Sequence, residues 1–269
     1  MAEDEEIEHL DEEHDEGIMG FWDHLEDLRM AILRGLAGIV LGIILVVIFF
    51  VKVFGFLRMP LDWALEAEPG TLSALTTTKV MGVFGVLVQV CMIGGIAIGL
   101  PFVLYNLGRF VAPGLTPRER AVLVPACIST LFLFLLGGLF AFFIVLPAAL
   151  KFTIFFNNML GLETIWTAQS YYGFVSWTII GVGLAFEFPL VIIILQYIGL
   201  VSAEQLRSGR RYAVIIIVVA AAFITPGGDP LSLFFLAIPM LLFYEIAIVI
   251  GERVTRQKEK WEAEDEENF

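Results

Sequence analysis

Histidine, cysteine and basic charge are scarce in this chain, and each shortage excludes a class of chemistry. The three histidines, His9, His14 and His24, all precede the first long apolar run. An enzyme with a Ser/His site inside its apolar segments therefore has no histidine to use. The two cysteines, Cys91 and Cys127, both fall within apolar runs and read as small buried hydrophobes, with no support for a disulfide framework or a metal site. Lys and Arg number 16 against 29 Asp and Glu, a net charge of −13 that leaves no basic footprint for nucleic acid. No phosphate-cradling Gly-Lys loop is present, so nothing points to ATP hydrolysis. The leader is acidic and lacks both a basic n-region and a small-residue cleavage site, so no cleaved signal peptide is expected.

What the chain does have is apolar length. A mean hydropathy of +0.86, 58% hydrophobic residues and 24 phenylalanines place it outside ordinary soluble domains. Apolar runs near the ~20 residues that cross a bilayer recur along it. Only helices or closed barrels satisfy the backbone in lipid, so the class is an all-α polytopic membrane protein. Six spans are expected, at about 30–54, 78–107, 121–148, 171–195, 211–225 and 231–250. Gly94, Gly95, Gly99 and Pro101 mark the second as bent or closely packed. The fifth and sixth are short; about 15 apolar residues in the fifth cover only ~22 Å. The acidic ends, residues 1–20 and 253–269, are expected to be solvated and disordered tails flanking a membrane domain at 21–252. Arg outnumbers Lys 11 to 5, and soluble parts this acidic suit a high-salt cytoplasm, such as that of a halophilic archaeon.

Basic residues set the orientation. Arg29, Arg34, Arg109, Arg118, Arg120, Arg207, Arg210, Arg211, Arg253, Arg256, Lys258 and Lys260 fall on one side; Lys52, Arg58, Lys79 and Lys151 fall on the other. Twelve against four predicts both termini in the cytoplasm of a multi-pass cell-membrane protein. The outer segment 55–79 is then a cap, with short interfacial helices expected at Pro60–Glu66 and Leu72–Leu75. A second outer segment, 151–170, offers Phe152, Phe155, Phe156 and Trp166 to the headgroup layer.

Charged residues within or beside spans are the candidates for function. A carboxylate in mid-span costs at least ~2.5–3.5 kcal/mol, and Glu187, beside Pro189, lies deep in span four. It is either a hydrogen-bonded packing residue or part of a polar patch in a cavity. Glu245 is placed to pair with an arginine near the inner face; Gln89 and Asp229 are weaker candidates. His24, Glu26, Asp27 and Arg29 cluster before span one, and Glu119 and Arg120 lie between spans two and three. Each alone reads as a surface charge. Together, Asp27 and Glu119 offer two carboxylates for two guanidinium groups.

Several segments carry a family resemblance. They are His24-Leu-Glu-Asp-Leu-Arg29, Pro60, Leu100-Pro-Phe-Val-Leu-Tyr105, Phe110-Val-Ala-Pro-Gly-Leu115, Glu119-Arg120, Phe186-Glu-Phe-Pro189, Thr225-Pro, Asp229 and Leu236-Ala-Ile-Pro-Met240 with Glu245. In this order the chain resembles the TatC family, the multispanning receptor subunit of the twin-arginine protein translocase, from about Phe21 to Arg256. Asp27 stands where the family usually has Glu. The resemblance implies a curved, glove-like bundle that recognises twin-arginine signal peptides of folded cargo at the cytoplasmic face. It implies a binding set of His24, Glu26, Asp27, Arg29, Phe110, Pro113, Glu119 and Arg120. It also implies intramembrane partner contacts through Glu187, Gln89 and Glu245, structural roles for Pro60, Pro101, Pro189 and Asp229, single-span TatA-type partners (and TatB-type where the host has one), a homo-oligomer in the assembled complex, and export driven by the proton-motive force. No enzyme activity, cofactor, metal or nucleic acid is implied. Arg109, in the first loop, either repels a cationic ligand or pairs with Glu119. Two other readings of the same residues are a secondary transporter coupled through Glu187, for which no inverted repeat is visible, and an intramembrane enzyme.

Overall fold

A computed structural model describes residues 21–66, 75–111, 117–225 and 229–267; within these, residues 21–24, 107, 111, 117–127 and 261–267 are described by their backbone alone. The described chain is helical throughout, with an isolated bridge between Thr76 and Thr167 as its one pairing of extended backbone. In order the helices are α1 (Phe21–Ile48), α2 (Phe50–Glu66), α3 (Gly82–Val111), α4 (Pro117–Phe140), α5 (Leu146–Met159), α6 (Ala168–Phe186), α7 (Phe188–Tyr197), α8 (Ala203–Ser208), α9 (Arg210–Ile224) and α10 (Pro230–Glu267).

Five apolar helical stretches are long enough to cross a membrane: Leu25–Ile48, Gly82–Phe110, Ile128–Met159, Ala168–Tyr197 and Pro230–Lys260. The expected fifth span, α9, has 15 residues, about 22 Å at ~1.5 Å each, and it packs between α6 and α10 as a sixth, shorter crossing. Partners alternate in direction. Gly35 meets Val103 while Gly42 meets Gly95, so α1 and α3 are antiparallel; Gly137 meets Gly183 and Phe186, which sets α4 against α6 and its end. Six crossings bring the start of α1 and the end of α10 to one face, called the termini face below. The bridge at Thr76 and Thr167 lies on the opposite face.

Glycines set the closest approach. A Cβ built on Gly42 would stand 2.6 Å from the Gly95 carbonyl oxygen, and one on Gly99 would stand 2.6 Å from Ile39 Cα. Gly38 and Gly42 on α1 thus face Gly95 and Gly99 on α3, two small-xxx-small stripes that let backbones touch where lipid offers no hydrophobic drive. The close packing expected of span two is present, and the matching stripe on α1 went unread in the sequence.

Two cores form. One gathers Val46, Leu57, Leu61, Val90, Leu146 and Tyr171 toward the opposite face; the other gathers Phe186, Ile192, Ile217, Leu236, Tyr244 and Ile248. Between α3 and α4, neither core fills the space. Cys91 is buried and unpaired, as a small hydrophobe should be.

Several boundaries differ from expectation. Helical bonding runs through Phe49 (Phe49 N–H to Leu45 O, 3.1 Å; Val53 N–H to Phe49 O, 3.0 Å), so span one continues into a 17-residue α2 instead of ending in a short interfacial helix. Pro60 sits inside α2, where proline loosens the carbonyls one turn earlier. One of these, Leu57 O, is taken by the Tyr171 hydroxyl at 2.8 Å. Leu72–Ala74 lie outside the described residues. Span three contains a π-helical turn, Ala141–Val145. Span four breaks at Glu187 because Pro189, in the first turn of α7, has no N–H to continue the ladder. The 38-residue α10 carries the sixth span on to Glu267, so the C-terminal segment 253–267 is helical rather than disordered. Its Glu, Lys, Arg, Gln and Ala are good helix formers. Gly199 (φ 76°) closes α7 in a conformation that favours glycine.

Candidate functional site

The termini-face end of α1, α3 and α4 is built by the glycine contact. With Gly35 beside Val103, the antiparallel register carried eight residues further brings Asp27 level with Phe110 and Val111, about 12 Å beyond. The first turn of α4, holding Glu119 and Arg120, follows five residues after Val111. The loop bearing Pro113 lies outside the described residues, and His24, Glu119 and Arg120 are placed by backbone alone.

Charges at this end are open. Glu26 accepts a hydrogen bond from Arg29 Nη1 at 3.1 Å. This exposed i,i+3 pair contributes only ~0–1 kcal/mol. Asp27 is exposed and makes no ion pair or hydrogen bond among the described residues. Arg109 is exposed in the last turn of α3, with no carboxylate paired to it among the described residues. Phe110 is half-buried beside it. One turn earlier, Asn106 is buried and donates to Phe102 O at 2.8 Å. Its place beneath Phe110 went unnoticed in the sequence, although an Asn in an apolar helix was visible there.

Below this end, α3 and α4 part around an apolar cavity of about 750 Å³. Ile98, Pro101 and Tyr105 form one wall, Leu131, Phe134 and Leu135 the other, and Phe56 and Phe142 line the end toward the opposite face. Those two rings stack at 4.2 Å. Pro101 thus shapes a concave wall without ending α3.

Glu187 is 9% exposed at the corner between α6 and α7. Its carboxyl group meets the Thr130 side chain and the Phe134 backbone, and Oε1 has no hydrogen-bond partner among the described residues. It does not line the cavity; Phe134, which it touches, does. The three intramembrane polar candidates, Glu187, Gln89 and Glu245, lie at different depths. Gln89 packs on Gly173, fourteen residues and on the order of 20 Å along the span from Glu187. Glu245 accepts from Arg210 Nη2 at 2.8 Å on the termini face, the arginine pairing expected of it. Asp229 caps α10, accepting from Ser232 N–H at 2.7 Å. No group of three His, Cys, Asp or Glu residues is placed to hold a metal ion among the described residues.

The fold and this site define a polytopic helical membrane protein with an apolar groove beneath an open rim of mixed charge. Residues 23–239 match the sequence model of TatC, described as the Sec-independent protein translocase protein. The TatC protein of Synechocystis sp. is 34% identical over 239 residues, covering 88% of this chain and 89% of that protein. The TatC of Aquifex aeolicus is 34% identical over 244 residues, covering 90% and 98%. The fold also matches the crystal structure of the twin arginine translocase receptor TatC at a TM-score of 0.71 and 34% identity, over 86% of this chain and 99% of that one. The same receptor in DDM matches at 0.72, over 85% and 99%. The chain belongs to the TatC family, a family of membrane protein-transport components and not of enzymes.

Proposed function

We propose that this chain is the signal-peptide receptor of a twin-arginine translocase, binding the arginine pair at the termini face with Asp27 and Glu119. The observation that carries the reading is the α1–α3 register, which sets an exposed Asp27, unpaired among the described residues, level with Phe110. Two guanidinium groups suit two carboxylates through charge-assisted forks. Phe110 and the groove below then accept the apolar segment that follows the arginines. The excess of basic residues on the termini face makes it the cytoplasmic side by the positive-inside rule. Export of folded cargo then draws on the proton-motive force and on single-span TatA-type subunits (with TatB-type subunits where present), around an oligomer of receptors. Glu187, with one carboxylate oxygen unpartnered among the described residues, is the residue proposed to meet a polar group of such a partner. The transporter reading gains no support, because Glu187 does not line the cavity.

Anisotropy titration of a fluorescent twin-arginine peptide onto the protein in nanodiscs tests the site. Asp27→Ala combined with Glu119→Ala is expected to weaken binding at least tenfold, with less loss at high salt because screening has already weakened the wild-type contact. Unchanged affinity in a folded variant would remove these acids from the site. Glu187→Gln is expected to keep peptide affinity and lose transport in cells.

A further inference from the structure

We propose that the polar cleft between α7–α8 and the extension of α10 is a binding site for an arginine side chain of a partner polypeptide. The cleft holds about 450 Å³ and is lined by Gln196, Glu204, Glu252, Thr255, Arg256 and Glu259, among others. Gln196 forms its floor at 2% exposure. Its Nε2 donates to Ala247 O at 3.0 Å, which fixes the amide, since the reverse orientation would set two oxygens together. Gly251 makes that reach possible, because a Cβ there would stand 2.1 Å from Nε2. Among the described residues the Gln196 Oε1 is left without a hydrogen-bond partner, and so is the buried Oγ1 of Thr255 on the wall. A buried acceptor without a donor is destabilising, so the cleft favours a guest that brings N–H groups.

The rim selects the sign of that guest. Glu252 is already bridged by Arg207 and Arg256. Glu204 and Glu259 carry no ion pair among the described residues. These carboxylates are not arranged to hold a metal ion. Residues 1–20 and 261–269 contain neither Lys nor Arg. A guanidinium is favoured over an ammonium, since its planar fork suits carboxylates and it sheds water more readily. The cleft lies at the α8–α10 end of the termini face, away from Asp27, and the proposal does not depend on the signal-peptide reading.

The test uses the full chain in phosphatidylglycerol nanodiscs, in an Asp27→Ala, Glu119→Ala background that removes the other proposed arginine contacts. Acetyl-Ala-Arg-amide carrying a diazirine leucine is photolysed beside its lysine and citrulline counterparts, and labelled segments are mapped by mass spectrometry. Labelling within 196–204 or 252–259 is expected at least fivefold above the neutral citrulline peptide, with lysine between them. Glu204→Gln with Glu259→Gln is expected to lower it at least fivefold without changing the thermal midpoint, and Gln196→Leu is expected to lower it too. Should Gln196→Leu not fold, the exposed double variant still decides. Equal labelling by citrulline, or full labelling in the double variant, would overturn the proposal. Loss of labelling only when phosphatidylethanolamine replaces the lipid would reassign the cleft to an aminophospholipid headgroup.

Discussion

The termini face has two ends, and they treat charge in opposite ways. At the α8–α10 end, Arg210 pairs with Glu245 and Glu252 joins Arg207 to Arg256, while the Tyr244 hydroxyl ties Leu206 O to α10. Most of these charges answer one another across helices. At the α1–α3 end, Asp27 and Arg109 stand open, and the Glu26–Arg29 pair stays within one turn of α1. The first arrangement ties α8 and α9 to α10 and leaves Glu204 and Glu259 without an ion pair among the described residues; the second leaves Asp27 so. Having arginines and acids on a face is therefore not the signal of a site. What matters is whether the fold has already matched them.

The comparison breaks most severely at the glycine stripes. Gly99→Leu forces a side chain into the Ile39 backbone. It is expected to cost ~3 kcal/mol or more, since overpacking at backbone contact exceeds the usual ~1–3. Accumulation in the membrane and thermal midpoint should both fall, and peptide binding should go with them as Asp27 leaves Phe110. Normal accumulation with normal binding would mean that the α1–α3 register does not build the site.

Asp27→Lys keeps the helix and reverses the open charge. A ten- to hundredfold loss of twin-arginine peptide affinity is expected, about 1.4–2.8 kcal/mol, with a far-ultraviolet dichroism spectrum like the wild type. At the other end, Gly251→Val should expel the Gln196 side chain from its place against Ala247, costing ~1–3 kcal/mol from the lost bond and crowding. Thermal unfolding should register this while affinity for the signal peptide holds. Glu245→Gln gives the smallest effect. Its pair with Arg210 is roughly half exposed on both sides, so ~0–1 kcal/mol is expected. A larger loss would show that the pairing does more than hold a loop.

Much of this was legible in the sequence for identifiable reasons. Apolar runs located the spans, Pro189 marked the break in span four, and Glu245 was expected to find an arginine. The continuity of α1 into α2 was hidden because Pro60 reads as a breaker, and only the fold supplies Tyr171 for the carbonyl it loosens. The helical C-terminal segment was obscured by charge, although its residues are good helix formers. Gln196 was visible as one amide in an apolar stretch, but its neighbour Gly251 is distant in sequence and gives it meaning only in three dimensions. The depths of Gln89, Glu187 and Glu245 along their spans come from the fold, because polarity within spans says nothing of depth along them.

The most direct test of the contrast places a photo-crosslinking residue at Phe110 in one protein and at Leu206 in another. Each is irradiated with a twin-arginine precursor and with its Lys-Lys form. Crosslinking at Phe110 that exceeds that at Leu206 and falls with Lys-Lys is the predicted result. Equal crosslinking at both positions, or indifference to the Lys-Lys exchange at Phe110, would contradict the assignment of the receptor site to the open end of the face.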